Sequence, residues 1–108
     1  MVLRRHRLDV VEALAGHVAG RLLLIDVRER VEWLRGYAPG SLHVPFGELH
    51  RRLCELPSEQ PIAFVCQTGR RSSIAATAAR RAGLDARTVT GGMDAWERRG
   101  FALERPPG

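Results

Sequence analysis

Cys66-Gln67-Thr68-Gly69-Arg70-Arg71-Ser72 is the stretch whose residue types could do chemistry together. The apolar run Pro61-Ile62-Ala63-Phe64-Val65 enters it, and a helix is predicted from Ser72 to Ala82. A strand that turns directly into a helix presents N–H groups without intrahelical partners, backed by the positive end of the helix dipole. A cysteine at the mouth of such a turn would have its thiolate held by those amides, with Arg70 and Arg71 close by. Gly69 can take the positive φ that turns the amides inward. The plainer reading is an inert thiol closing a strand. It accounts for Cys66 but not for the glycine and arginines that follow.

Composition narrows the setting. The 108 residues suffice for one domain with its own core, and 44% apolar residues is ordinary for a globular chain. Two cysteines make no disulfide framework and are read as reduced thiols of a cytoplasmic protein. Asp9 and Glu12 interrupt the basic N-terminus, so no signal peptide is expected, and no apolar run reaches membrane-spanning length. The net charge of +5 comes from 17 basic residues, all arginine, in scattered pairs such as Arg51-Arg52 and Arg80-Arg81. No helix gathers them and no aromatics interleave, so a nucleic-acid partner is not expected, whereas attraction of small anions is. His6, His17, His43 and His50 show no catalytic or metal-binding spacing, and neither metal nor cofactor is expected.

The loop needs rigid flanks. Leu22 to Val27 and Pro61 to Val65 are apolar runs of strand length, as suits a parallel sheet covered on both faces, and Ser41 to Pro45 and Ala86 to Thr90 are read as further strands. Helices are predicted over residues 8–19, 29–35, 46–56, 72–82 and 93–99. The first has Asp9 as N-cap and Val10, Val11, Leu14 and Val18 as its apolar face. The third turns Phe46, Leu49, Leu53 and Leu56 inward, and the fourth Ile74, Ala75, Ala78, Ala79 and Ala82. The tail 101–108 is expected to trail along the surface. Alternating strands and helices predict a three-layer α/β/α domain over 1–108, its core roughly 8–101, with a mostly parallel sheet of about five strands. Ligands of such sheets bind beyond the carboxyl ends of the strands. Cys66 lies at one such end and the pair Asp26 and Arg28 at another, so the two could meet.

Three stretches together resemble the rhodanese-type sulfurtransferases. Asp26-Val27-Arg28-Glu29 with Glu32-Trp33 and Gly36 to Pro45 resembles the N-terminal signature of that family. Val65 to Ser72 resembles its active-site loop, and Gly91-Gly92-Met93-Asp94-Ala95-Trp96 its C-terminal signature. They occur in family order. Tyr37 departs from the pattern, which often has histidine there, and Gln67 stands where many relatives have arginine. The resemblance implies that Cys66 takes a sulfane sulfur from a donor such as thiosulfate, holds it as a persulfide, and yields it to cyanide or a thiol, on a small molecule or a protein.

Within the loop, Gln67 and Thr68 are expected to give backbone amides with their side chains at the rim. Arg70 is expected to meet the donor anion. Arg71 has two open roles, the same one or a structural pairing with Asp26 or Glu32. Ser72 reads as a first-turn residue, Asp26 and Arg28 as scaffold, Trp33 and Trp96 as core aromatics, and Cys54 as a buried structural thiol. A phosphatase reading requires a longer loop; only four residues separate Cys66 from Arg71. A persulfide carrier or regulatory binding module is the alternative to an enzyme. A disulfide redox role lacks the Cys-x-x-Cys it needs. Nothing in the tail offers a dimer surface, so a monomer is expected.

Overall fold

The computed structural model describes residues 6–107. Five parallel strands form one sheet: β1 (Arg7–Leu8), β2 (Leu23–Asp26), β3 (Leu42–His43), β4 (Ile62–Val65) and β5 (Ala86–Val89), in the order β1-β5-β4-β2-β3. The helices are α1 (Val10–Val18), α2 (Arg30–Trp33), α3 (Phe46–Arg52), α4 (Arg70–Arg81) and α5 (Gly92–Arg98). The central strand β4 is buried throughout, because side chains alternate across a sheet that is covered on both sides. Ala63 and Val65 join Val10, Ala13, Met93 and Trp96 of α1 and α5 on one face. Ile62 and Phe64 join Leu49, Ala75, Ala76 and Ala79 of α3 and α4 on the other. The three-layer α/β/α arrangement is therefore as expected.

Two helix faces sit about one residue away from the predicted stripes. On α1 the buried residues are Val10, Ala13 and Gly16, while Val11 and Val18 are exposed. Gly16 abuts Leu22, whose side chain would have to shift to admit a methyl there, so the small side of the helix faces the sheet. On α4 the buried residues are Ser72, Ala75, Ala76 and Ala79; Ile74 is 55% exposed and Ala82 lies outside. Close approach selects small side chains over large apolar ones. The Asp9 cap is as read, reinforced by a reciprocal bond with Glu12.

The tail does not trail. Phe101 and Leu103 pack on the α1/α5 core, Phe101 meeting Trp96 edge-on at 5.3 Å. Trp96 Nε1 donates to the Ala102 carbonyl at 3.0 Å, and Glu104 exchanges two main-chain bonds with Tyr37. A two-residue strand, β1, also escapes the sequence reading; it pairs with β5 at the sheet edge.

Candidate active site

Cys66 is the first residue after β4, and the chain turns there into α4. The helix begins at Arg70, two residues earlier than predicted, with Gly69 as N-cap at φ +114°. That backbone turns the Gly69 N–H onto Cys66 Sγ at 3.1 Å. The Ser72 N–H reaches the same sulfur at 3.4 Å, and Ser72 Oγ lies 3.4 Å from it. Burial pushes the Cys66 thiol up, but the Ser72 hydroxyl and amide and the Gly69 and Thr68 amides pull it down further, leaving it below the ordinary thiol value. Ser72 is thus more than a first-turn residue: wholly buried, it supplies both an amide and a hydroxyl to the sulfur.

The loop is locked from two sides. At the end of β2 the buried Arg28 grips Asp26 through Nε and Nη2 at 2.8–3.1 Å, while Nη2 also donates to the Gly36 carbonyl. Its Nη1 donates to Gln67 Oε1 at 3.1 Å, and Gln67 Nε2 donates to Asp94 Oδ1 at 2.6 Å. The Gln67 side chain is therefore a strut between β2 and α5, not a rim group. From the other side, the Met93 and Asp94 N–H groups of α5 donate to the Cys66 and Gln67 carbonyls at 2.8 and 3.0 Å. Asp94, quoted only within the C-terminal signature, and Thr88, whose Oγ1 lies 2.6 Å from Ser72 Oγ, had no site role expected of them. The Gly91-Gly92 turn was the available sign that α5 approaches the loop.

The two arginines separate. Arg71 binds Glu32 of α2 with two bonds at 2.7 and 2.8 Å, one of the two structural pairings expected for it. Arg70 is exposed and makes no ion pair among the described residues. The Arg71 guanidinium holds the Glu32 carboxyl at about 2, below its ordinary 4.5. A lowered carboxyl contributes stability that is complete above pH 4.5 and disappears as pH falls through 2. Glu32→Gln should therefore melt below the parent by about 1–2 kcal/mol at neutral pH, a figure reduced for partial exposure of both side chains. Melting curves from pH 6 to pH 2 should converge; a constant gap would refute the ion-pair account.

Two other expectations change. Cys54 is exposed, because the helix ends at Arg52 and a 3₁₀ turn over Leu53–Glu55 carries it outward. Trp33 is half-buried, stacked between Tyr37 (4.3 Å) and His43 (4.9 Å), whereas Trp96 is a core residue. His43 is a support: its Nε2–H donates to the Arg28 carbonyl at 2.8 Å. Among the described residues no His, Cys, Asp or Glu cluster is arranged for a metal, and no helix is long and apolar enough to cross a membrane.

A cysteine at the end of a buried parallel strand, its sulfur ringed by helix-entry amides, defines an α/β domain built around one ionisable thiol. A model of the Rhodanese-like domain family matches residues 9–99, and the chain belongs to that family, which is one of sulfur transfer. It is 37% identical over 76 residues to the Bacillus subtilis protein named Putative sulfur carrier protein YrkF, covering 69% of this chain and 41% of that one. It is 33% identical over 96 residues to the HTH-type transcriptional regulator Rv0324 of Mycobacterium tuberculosis, covering 86% of this chain and 42% of that one. The chain thus spans about two fifths of these curated relatives. A rhodanese-related protein from Thermoplasma volcanium superposes with a TM-score of 0.87 at 24% identity, over 95% of this chain and all of that one, a likeness of fold.

Proposed function

We propose that the chain is a sulfurtransferase that carries a sulfane sulfur on Cys66 between an anionic donor such as thiosulfate and a thiophilic acceptor. The observation that carries this reading is the convergence of the Gly69 and Ser72 amides and the Ser72 hydroxyl on one buried sulfur. The Cys66 thiolate attacks the outer sulfur of thiosulfate. A new S–S bond forms at Cys66 as the donor's S–S bond breaks, and sulfite leaves with that bond's electron pair. The terminal sulfur of the persulfide is again an anion, and the same inward-facing amides suit it. Cyanide or a thiolate then attacks that terminal sulfur, releasing thiocyanate or a new persulfide and restoring the Cys66 thiolate. The Ser72 hydroxyl and the loop amides hold the thiol below its ordinary value, so they favour its charged form without a histidine base. Arg70, exposed on the first turn of α4, is the residue we assign to meet the donor anion, and the reduced thiols suit a cytoplasmic setting.

A carrier that loads sulfur but releases it slowly to cyanide is the second reading, favoured by the likeness to YrkF. A phosphatase is disfavoured, because only four residues separate Cys66 from Arg71, a shorter loop than that chemistry requires. Intact-mass spectrometry after thiosulfate treatment is the test. The parent and Cys54→Ser should each gain one sulfur atom and lose it to cyanide with thiocyanate released, while Cys66→Ala gains none. Unmodified parent, or sulfur retained by Cys66→Ala, would refute the proposal. Loading without cyanide turnover would favour the carrier.

A further inference from the structure

Behind Ser72 lies a second buried hydroxyl, Thr88 of β5, which is 5% exposed and 2.6 Å from Ser72 Oγ. Ser72 Oγ is also 3.1 Å from the Gly69 carbonyl and 3.4 Å from Cys66 Sγ. A hydroxyl has one proton and two acceptor lone pairs, so Ser72 must divide one proton among three neighbours. While Cys66 is a thiol, Ser72 can accept from S–H and donate to the Gly69 carbonyl. Once Cys66 is a thiolate, the sulfur needs a donor, and the Ser72 proton must swing from that carbonyl to the charge. Thr88 Oγ1 has no hydrogen-bond partner other than Ser72 among the described residues. Were Ser72 to donate to Thr88, the Thr88 proton would be buried without an acceptor and the sulfur would lose a donor. Only the opposite polarity satisfies both hydroxyls.

We propose that Thr88 is a positioning residue for the Cys66 thiolate: by donating to Ser72 Oγ it leaves the Ser72 proton for the sulfur. Receiving that bond also polarises the Ser72 O–H and strengthens it as a donor. The inference rests on the thiolate reading given above. The charges around the loop are Arg70 and Arg71 on α4, Glu32 on α2, the Asp26–Arg28 pair at the end of β2, and Asp94 on α5. None of them bonds to Thr88, so a change there leaves them in place.

The test measures the rate of Cys66 alkylation by iodoacetamide against pH in a Cys54→Ser background, comparing the parent chain with Thr88→Val and Thr88→Ser. Thr88→Val should react about two- to fivefold more slowly at a fixed pH below the parent's midpoint. Thr88→Ser, which keeps the hydroxyl, should follow the parent. Thermal melts establish that both variants fold, and Thr88→Ala replaces Thr88→Val should the latter not. A Thr88→Val profile matching the parent, or a Thr88→Ser profile matching Thr88→Val, overturns the inference and leaves the sulfur-transfer proposal standing. A parent midpoint at an ordinary thiol's value overturns both.

Discussion

Gly92→Ala should lower stability by about 3–5 kcal/mol and sulfur loading of Cys66 by about tenfold or more. Gly92 sits at φ +56°, where a side chain is strained, and the three atoms nearest an added methyl are all main-chain atoms that cannot swing aside. A methyl there would run into the Cys66 carbonyl oxygen and come to 2.6 Å from that of Gln67. Left-handed backbone at a non-glycine residue costs about 1–2 kcal/mol. Relieving the collision separates α5 from the loop and weakens the Met93 and Asp94 bonds to those same carbonyls, each contributing about 1 kcal/mol. In a domain of this size that corresponds to a melting temperature lower by about 15–25 °C. Gly47→Ala supplies the contrast. Gly47 lies within α3 with open space around it, so alanine should raise stability by roughly 0.5–1 kcal/mol. Similar losses at both positions would mean that the α5 approach does not hold the loop.

That contrast marks what one sequence could reveal. The run into Cys66, Gly69 and the small-residue helix behind it are local signals, and they located the strand, the turn and α4 to within two residues. The sheet followed from runs long enough to be buried on both faces. What stayed hidden depends on distance across the fold. Nothing local distinguishes Thr88 from any strand threonine until β5 lies beside α4. Gln67 reads as a loop amide until Arg28 and Asp94 arrive at its two ends, from 39 and 27 residues away. Burial misled where size stood in for position: Ile74 and Val18 are large and apolar yet outside, because close helix docking needs Ala75, Ala79 and Gly16 instead. Cys54 failed for a similar reason, since a single 3₁₀ turn rotates it from the expected inner face. The alternation Phe101-Ala102-Leu103 was too short to count as a signal, though two of its residues close the core.

Arg28→Met should cost about 3–5 kcal/mol, because it leaves the Asp26 carboxylate buried with its main charge partner gone. Asp26→Asn should cost a similar amount for the mirror reason, stranding a guanidinium that is 2% exposed. The double variant should be less destabilised than the sum of the two by about 2 kcal/mol or more, since it removes both charges together. The pair also bears on the sulfur. A buried carboxylate at the neighbouring strand end would oppose ionisation of Cys66 if left bare, and Arg28 cancels it. With the same guanidinium Arg28 holds Gln67 in place, so a neutralised charge and a fixed loop come from one side chain. Arg28→Met should accordingly slow sulfur loading even at temperatures where the variant is fully folded, and Asp26→Asn, which keeps the Arg28–Gln67 bond, should slow it less. Chemical denaturation of the four chains gives the coupling energy, and loading rates at 10 °C give the second comparison. Strictly additive stabilities would show that Asp26 and Arg28 do not stabilise one another, and equal loading by the two single variants would show that Gln67 needs no support from Arg28.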